Sequence, residues 1–547
     1  MSNHSSKPKN IYLLILIIIL AFSLRIIWLD RADMQGDDAV YSFMAVGYYD
    51  FLNSDQQTTP LQWFGYIPWW SKLSFHGNPP LVDLIQYLFF FIFGISTFIA
   101  RLPFVLFGTL SIYLIYLVSK KLFNDEKVGL AAAFILAIFN YHIWISRTGY
   151  LEGILTFFII LSFYYFLKLL ENNSPKNYFL VGLTLGLAFM SKYTMLFLIP
   201  AYFFYLLIFK RKILLNKKII LTIVVFLIVI SPVIFYNIMV YKTRGHLDLQ
   251  FSQIFKMDIS KDWPMFAQGE NRTFNDYIFN LKGIYDTLKL TLGKIYFNLF
   301  FISLLLIITN LFSKKEKASP FYLLIFLFIF LTLQFSVIGA ANRFLPVFTP
   351  FISILIAYFL SQLYNFLYNT NAAKKYKYFI LLIFFFIITL LSFFIILEDV
   401  NSHLTRVKRL PVNSSLRQEN YGFRQLEKYF QQENFDSSRT LFIYDSRLNW
   451  FCRFWYFFRG ATYFDENHTS TEEFLNKIGK EGENYWYEKM GYTNYYFFRG
   501  INTLYDSGMD SEAANYFADL LQNKFAIKPI IIKRDDGQVA FEVYKFQ

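Results

Sequence analysis

The sequence predicts a polytopic α-helical membrane protein with about 11 transmembrane helices, followed by a C-terminal soluble α/β domain. Of its 547 residues, 55% are hydrophobic and 21% are aromatic, and the mean hydropathy is +0.36. An ordinary soluble protein does not reach these values, and most of the apolar runs can cross a hydrocarbon core of about 30 Å as helices. The runs are residues 11–29, 101–118, 129–145, 153–170, 178–190, 194–209, 219–240, 292–312, 320–338, 345–364 and 378–397.

Lysines and arginines occupy every second gap between these runs. The positive-inside rule assigns basic gaps to the cytoplasm, so we expect a multi-pass protein of the plasma membrane with a cytoplasmic N-terminus. An odd number of crossings then places the C-terminal domain outside the cytoplasm. The basic gaps include residues 7–9, 120–127, 210–218, 314–317 and 374–377.

Residues 81–94 must not span the membrane if this alternation is to hold, and the first run needs a separate assignment. Residues 81–94 are only 14 long, a length more typical of a re-entrant or interfacial segment than of a spanning helix. No small-x-small cleavage site follows the first run, which is therefore predicted to be a signal anchor. Arg25, Trp28 and Arg31 near its end are predicted to be interfacial anchors.

The net charge of +13 does not indicate a nucleic-acid-binding protein. Residues 398–547 contain more acidic than basic residues, so the basic excess lies in the membrane half of the chain. There it is expected to face anionic lipid of the inner leaflet. The single cysteine, Cys452, excludes an intrachain disulfide and a cysteine-based metal site.

A fall in hydropathy divides the chain into a transmembrane domain, residues 1–397, and an extracytoplasmic domain, residues 398–547. The first has two long outer loops, 30–100 and 241–290, and loops of such length are commonly functional. Residues 37–52 in the first loop are predicted to form an amphipathic helix. In the C-terminal domain the predicted strands are 439–445, 460–464, 493–498, 526–533 and 538–546, with a hairpin turn at 535–537 and helices at 421–431, 470–479 and 510–523.

Asp37 and Asp38 place two adjacent carboxylates just beyond the first transmembrane segment. Polar groups held at a membrane interface are costly enough to be functional candidates. The alternative is that one of them only caps the helix that follows, where a carboxylate meets unpaired N–H groups.

Further polar residues gather at the outer ends of the helices on this topology. Carboxylates beside fixed cations suit a reaction in which an alcohol or amine loses a proton while a phosphate leaves. Structural alternatives remain: Lys192 can snorkel to the interface, and Arg147 can form an ion pair with Glu152. His76 can be a hydrogen-bonded loop residue. The candidate set comprises Asp37, Asp38, His76, Asn78, Arg101, Arg147, Glu152, Lys192, Asn342 and Arg343.

The order of the motifs resembles that of the C-type (GT-C) polytopic glycosyltransferases of family 39, the protein O-mannosyltransferase and aminoarabinose-transferase group. Residues 11–200 carry most of the resemblance, and in it Arg101-Leu-Pro103 is expected to open a helix. The motifs are Gly-Asp37-Asp38-Ala-Val-Tyr41, His76-Gly-Asn-Pro79-Pro80-Leu81, Arg101-Leu-Pro103, Ser146-Arg147-Thr-Gly-Tyr-Leu-Glu152, Met190-Ser-Lys192 and Asn342-Arg343-Phe-Leu-Pro346.

Three positions depart from the family pattern. Asp38 replaces the usual Glu, and Glu152 replaces an Asp, which lengthens its reach by one methylene. Asn78 stands where the aminoarabinose branch has Lys. The last departure removes one expected phosphate contact and argues against modification of lipid A.

The resemblance implies an inverting glycosyltransferase that moves a sugar from a polyprenyl-phosphate donor to an extracytoplasmic acceptor. Asp37 would take the proton of the acceptor, with Asp38 or Glu152 positioning it. The acceptor class, whether lipid, glycan or protein, stays open.

The resemblance also implies where the donor binds. Lys192 and Arg343 would hold the donor phosphate, with His76 and Arg147 as further contacts, and the polyprenyl tail would lie among membrane lipid. No cofactor and no obligatory metal are expected, because a monophosphate leaving group carries less charge than a diphosphate.

Three other functions remain alternatives. A transporter or flippase of lipid-linked glycans needs a polar route through midplane helices, and the apolar runs hold almost no mid-span charges. A non-catalytic membrane scaffold needs no clustered carboxylates. An oligosaccharyltransferase would share the fold, but the Trp-Trp-Asp-Tyr-Gly motif is absent, since Trp69-Trp70 is followed by Ser71-Lys72.

Overall fold

The computed structural model groups the chain into two units. We call Met1–Leu29, Tyr49–Glu398 and Arg409–Leu416 the helical unit, and Asp30–Tyr48, Asp399–Lys408 and Arg417–Gln547 the C-terminal unit. The segment around Asp37 therefore groups with the C-terminal residues, although the sequence assigned it to the domain of residues 1–397. The described residues are 7–31, 33–34, 37–46, 78–259, 273–313, 319–369, 386, 422–433, 440–444, 462–464, 494–501, 512–535 and 537–546.

Helices occupy ten of the eleven predicted apolar runs, and the last run, 378–397, lies outside the described residues apart from Phe386. Short 3₁₀ helices at Tyr193–Phe197 and Leu345–Phe348 precede the α-helices that begin at Leu198 and Thr349. The α-helices are α1 Lys7–Ile26, α2 Asp37–Val46, α3 Leu81–Phe93, α4 Thr97–Phe123, α5 Glu126–Ala137, α6 Asn140–Ile145, α7 Glu152–Glu171, α8 Pro175–Ser191, α9 Leu198–Phe209, α10 Arg211–Leu214, α11 Ile219–Val229, α12 Ser231–Arg244, α13 Leu249–Phe255, α14 Phe274–Ser313, α15 Ser319–Ile338, α16 Thr349–Asn369, α17 Phe423–Gln432 and α18 Glu512–Asn523.

The protein is a multi-pass membrane protein. Five helices of the described part are long and apolar enough to cross a membrane, and a sixth span results if α11 and α12, which meet at 55°, form one bent crossing. Helix α3, with 13 residues, is about 20 Å long at 1.5 Å per residue. The count of 11 crossings, the interfacial position of α3 and the orientation of the termini stay predictions. The five helices are Thr97–Phe123, Glu152–Glu171, Phe274–Thr309, Phe321–Ile338 and Leu345–Phe366.

Glycines allow two helices of the helical unit to pack at backbone contact. A Cβ atom on Gly182 of α8 would lie 2.4 Å from the carbonyl oxygen of Thr222 in α11, and one on Gly186 would lie 2.7 Å from Val229 Cβ. Thr222 Oγ1 also donates to the carbonyl oxygen of Tyr178 at 2.9 Å, which ties the same two helices together. The spacing Gly182-x-x-x-Gly186 is the small-residue pattern of close membrane-helix packing.

Arg25 near the end of α1 is 0% exposed. Its guanidinium donates to the carbonyl oxygens of Leu136 and Ala137 at 3.2 and 3.1 Å, and lies 2.8 Å from Nδ1 of His142. The prediction of an interfacial anchor is therefore wrong for Arg25. Its charge satisfies carbonyl groups at the end of α5, which lack partners within their own helix.

Helix α4 begins at Thr97, four residues before Arg101. Ser96 has an extended backbone and its side chain accepts a hydrogen bond from Ile99 N, so it is the N-cap. The prediction that Arg101-Leu-Pro103 opens the helix is wrong, because this serine cap starts it earlier and Pro103 lies inside it.

The C-terminal unit contains one five-stranded sheet in the order β2-β1-β3-β5-β4. Strand β1 runs parallel to β2 and β3, whereas β5 runs antiparallel to β3 and β4. This small mixed sheet with its helices confirms the predicted α/β class, while the predicted helix 470–479 lies outside the described residues. The strands are β1 Thr440–Tyr444, β2 Thr462–Phe464, β3 Asn494–Gly500, β4 Ile530–Lys533 and β5 Val539–Phe546.

Alternation along β3 sends side chains to two covered faces of this sheet. Tyr495 and Phe497 pack in a buried cluster with residues of α18, including Leu521. Tyr496 and Phe498 contact the ring of Phe430 on α17. The sheet is thus held between α17 and α18, as the run of aromatic residues in β3 requires.

Candidate functional site

The helical unit brings Glu152 and Lys192 together at the ends of two neighbouring helices. Glu152 is the first residue of α7, where the positive end of the helix dipole favours a carboxylate. Lys192 follows the last residue of α8 and ends that helix with an extended backbone. Its Nζ lies 2.5 Å from Glu152 Oε1, a charge-assisted hydrogen bond.

This ion pair is almost completely withdrawn from solvent. The side chains of Lys192 and Glu152 are 10% and 1% exposed. Burial without pairing would cost several kcal/mol for each ion, so the two charges depend on each other. Lys192 is therefore not a snorkelling side chain, and the ion-pair partner of Glu152 is Lys192 rather than Arg147.

The other oxygen of the same carboxylate, Glu152 Oε2, is buried and has no hydrogen-bond partner among the residues that the structure describes. Buried carboxylate oxygens normally accept a hydrogen bond, so the described residues leave this oxygen open to a further donor. A hydroxyl or amine group of a small molecule is such a donor. Glu152 can therefore hold Lys192 with one oxygen and a ligand with the other.

An aromatic ring joins Lys192 to Arg343. Lys192 Nζ lies 4.8 Å from the centre of the Phe344 ring, and Arg343 Cζ lies 5.0 Å from it. Both distances are within the range of cation–π contacts. Tyr141 fixes the turn that carries these residues, because its hydroxyl donates to the backbone oxygen of Asn342.

Two polar side chains, those of Asp248 and Gln334, hold the segment that follows Lys192. The Tyr193 hydroxyl donates to Asp248 Oδ2 at 2.7 Å. Gln334 of α15 donates to the Thr194 carbonyl at 2.6 Å and accepts from Phe197 N at 2.9 Å. These supports and the contact with the ring of Phe344 were not predicted from the sequence. The available signal was a glutamine inside the apolar run 320–338, a position where an unpaired amide is costly.

Arg147 caps the end of α1. Its guanidinium donates to the carbonyl oxygens of Arg25 and Ile27 at 2.9 and 2.7 Å, with longer contacts to Leu24 and Trp28. These are carbonyls that a helix end leaves without internal partners. The contacts favour an anchoring role, and the assignment of Arg147 to the donor phosphate stays a prediction.

Asp37 and Asp38 form the first turn of α2, in the C-terminal unit. The Tyr41 hydroxyl donates to Asp37 Oδ2 at 3.2 Å, and Asp38 is buried. A position in the first helical turn suits the capping alternative as well as the chemical one, so the catalytic roles of both stay predictions. His76 lies outside the described residues.

The sequence matches known proteins over part of its length. Residues 77–236 match the family model described as dolichyl-phosphate-mannose-protein mannosyltransferase. A curated relative, the putative mannosyltransferase YycA of Bacillus subtilis, is 31% identical over 134 residues, which are 24% of this chain and 19% of that protein. The match thus spans less than a fifth of that relative.

Solved structures match nearly the whole chain. ArnT from Cupriavidus metallidurans, bound to undecaprenyl phosphate, is 13% identical over 99% of this chain and 98% of its own, with a TM-score of 0.57. The archaeal oligosaccharyltransferase AglB from Archaeoglobus fulgidus, in complex with an inhibitory peptide and a dolichol-phosphate, is 13% identical over 98% of this chain and 74% of its own, with a TM-score of 0.54. The protein therefore has the GT-C membrane fold of these structures, and its residues 77–236 match the mannosyltransferase family model.

Proposed function

We propose that the protein is an inverting glycosyltransferase that moves a sugar from a polyprenyl-phosphate donor to an extracytoplasmic acceptor. The observation that carries this proposal is the buried Glu152–Lys192 pair, whose second carboxylate oxygen accepts a hydrogen bond from none of the described residues. A second cation, Arg343, lies on the same aromatic ring as Lys192. The fold supports it, because ArnT and AglB were solved with undecaprenyl phosphate and dolichol-phosphate.

Lys192 and Arg343 bind the phosphate of the donor in this proposal. A lysine ammonium has three N–H donors, so Lys192 can keep its bond to Glu152 and still donate to a phosphate oxygen. Arg343 offers a planar guanidinium that suits a second oxygen of the same group. Arg147 stays at the end of α1, where it holds backbone carbonyls.

Asp37 takes the proton of the acceptor while the acceptor oxygen or nitrogen forms a bond to the anomeric carbon. The bond from that carbon to the phosphate oxygen breaks, and polyprenyl phosphate leaves with the electron pair. Asp38 or Glu152 positions the acceptor. Lysine and arginine charges stabilise the phosphate as it gains negative charge, and the proposal includes no metal ion.

The direct test uses the purified full-length chain in lipid nanodiscs. It is incubated with a panel of polyprenyl-phosphate sugars and a mixture of lipid, glycan and peptide acceptors. Release of polyprenyl phosphate with appearance of a glycosylated acceptor is the expected result. Donor that is moved between leaflets of proteoliposomes without being cleaved would favour the flippase alternative and contradict the proposal.

Asp37→Asn tests the assigned base. The substitution keeps the size of the side chain but cannot accept the proton, so turnover should fall about 10²–10⁴-fold with little change in donor binding. Asp535→Asn is the matched control, because it neutralises an exposed carboxylate of the same unit. Turnover of Asp37→Asn at the wild-type rate would return Asp37 to the capping role.

A further inference from the structure

Helix α17 of the C-terminal unit begins at a residue that cannot cap it. The N-cap is Gly422, with φ 100° and ψ 4°, and it has no side chain to accept from the first amides. A Cβ atom there would lie 2.5 Å from Ala540 Cβ, too close for any other residue without a backbone shift. The first turn of α17 therefore needs an acceptor from another part of the chain.

Asp33 is that acceptor, although it lies 389 residues earlier in the chain. Its Oδ2 accepts from the amides of Gly422 and Phe423 at 3.1 and 3.3 Å, and its Oδ1 accepts from the amide of Arg424 at 3.2 Å. Asp33 is only 6% exposed. A buried carboxylate that meets three amides at the positive end of a helix is a strong contact.

Helix α17 is itself fixed to the sheet at its other end. Glu433, just beyond the helix, accepts from Lys545 Nζ at 2.6 Å and from the Tyr496 hydroxyl at 2.8 Å. The Phe430 ring packs against Phe498. Asp33 is thus bound to a helix that the sheet holds in place. The contact therefore restricts movement of the segment that begins at Asp33.

Asp33 precedes Asp37 by four residues, and both belong to the C-terminal unit. Four residues of extended chain span at most about 14 Å, so the contact at Asp33 restricts where α2 begins. We propose that Asp33 is a positioning residue, through which the C-terminal unit fixes the carboxylate of Asp37 for its reaction. This inference rests on the proposed role of Asp37 as the base.

The test compares Asp33→Ala and Asp33→Asn with the control Asp535→Asn in nanodiscs. Asp535 also contacts the start of α17, through Arg424 at 3.0 Å, but it is 42% exposed and lies on the β4–β5 turn. Turnover, donor KM and amide hydrogen exchange of residues 37–46 and 422–432 are measured for each variant.

Asp33→Ala should lower turnover by roughly 10–100-fold, because a small misplacement of a reacting group has effects of that size. Donor KM should change less than about twofold, since the loss concerns the chemical step. Exchange should become faster in both segments. Asp33→Asn should lie between Asp33→Ala and the wild type because one acceptor oxygen remains, and Asp535→Asn should match the wild type.

A double-mutant cycle separates positioning from general damage. In the Asp37→Asn background, Asp33→Ala should cause no further loss of turnover, because the group that it positions is already gone. The inference is overturned if Asp33→Ala lowers turnover in the Asp37→Asn background by the same factor as in the wild type. It is also overturned if Asp33→Ala alone has wild-type turnover, and both results leave the role of Asp37 intact. Wild-type turnover of Asp37→Asn overturns both. If Asp33→Ala does not fold, Asp33→Asn is taken through the same cycle.

Discussion

Lys192 has two described neighbours that limit how strongly it can hold an anion. Glu152 already neutralises its charge at 2.5 Å, and the Phe344 ring lies 4.8 Å from Nζ. A phosphate that approaches Lys192 therefore meets a partly compensated charge and the repulsion of a carboxylate. Such a site suits a donor phosphate that must also be released as a product, because very tight binding would slow product release.

Lys192→Ala and Arg343→Ala should each weaken the use of the donor more than that of the acceptor. A charge-assisted contact in a site of low exposure contributes about 1.5–3 kcal/mol, or roughly 10–100-fold. Part of the loss should appear in turnover, because negative charge builds on the phosphate as the glycosidic bond breaks. Kinetics with donor and acceptor varied separately measure this.

Lys120→Ala is the matched control for both, because Lys120 also pairs with a glutamate, Glu126, but in a more exposed position. It should leave both KM values unchanged. Folded Lys192→Ala and Arg343→Ala proteins with unchanged donor KM and unchanged turnover would show that the phosphate is bound elsewhere.

The Glu152–Lys192 pair should show strong coupling in stability. Glu152→Gln leaves a buried ammonium without a counter-ion, and Lys192→Met leaves a buried carboxylate, so each should cost about 3–5 kcal/mol. The double variant should be more stable than Lys192→Met alone, because no uncompensated charge remains. Thermal unfolding in one detergent ranks the four proteins, and additive losses would contradict the pairing.

Both members of this pair were among the sequence candidates, but their contact was not predictable. The sequence offered Arg147 as the partner of Glu152 because the two are five residues apart. The observed partner, Lys192, is 40 residues away. It lies close because α7 and α8 pack antiparallel, which brings the start of α7 next to the end of α8. Periodicity fixes which residues end a helix, but it gives no distance between the ends of different helices.

At the scale of elements, the contact between α8 and α11 depends on the two glycines. Gly182→Ala should destabilise the protein by about 1–3 kcal/mol, since its methyl group would collide with the backbone of Thr222, which cannot move without its helix. Gly283→Ala is the control, because a Cβ there would make an ordinary contact of 3.4 Å with Ala340 Cβ. An apparent melting temperature of Gly182→Ala equal to that of Gly283→Ala would disprove the close packing.

Apolar runs predicted where helices lie, but not how they bend. The run 219–240 contains a 55° bend between Val229 and Ser231, where Pro232 lacks an N–H for the preceding turn. The run 129–145 contains a break between α5 and α6 without a proline to mark it. Hydropathy measures how well a run of residues suits lipid. A helix that is broken, with its ends capped by buried side chains such as Arg25, can be as apolar as a straight helix, so hydropathy does not reveal the break.

At the scale of the whole molecule, the alternation of basic gaps predicts which side each segment faces. A reporter enzyme fused after residue 400 should be active only outside the cytoplasm, and one fused within 210–218 only inside it. The measurement compares, at each of the two positions, a reporter that is active only outside the cytoplasm with one that is active only inside it. Cytoplasmic activity after residue 400 would disprove both the parity and the interfacial assignment of residues 81–94.

The grouping of Asp30–Tyr48 with the C-terminal residues could not be predicted from the sequence. Hydropathy and length describe consecutive residues, whereas the contact between Asp33 and Gly422 joins positions 389 residues apart. The α/β character of the C-terminal residues was predictable, because strand alternation and the turn at 535–537 are local signals.

The buried contacts of Arg25 have a consequence for the order in which the helices assemble during synthesis. Its partners at Leu136, Ala137 and His142 are made about 110 residues after it, which takes roughly 6–22 s at 5–20 residues per second. Until then the guanidinium on α1 lacks these partners, which raises the free energy of α1 within the bilayer by up to about 3 kcal/mol. We therefore expect α1 to reach its final position in the bilayer only after α5 and α6 have been made.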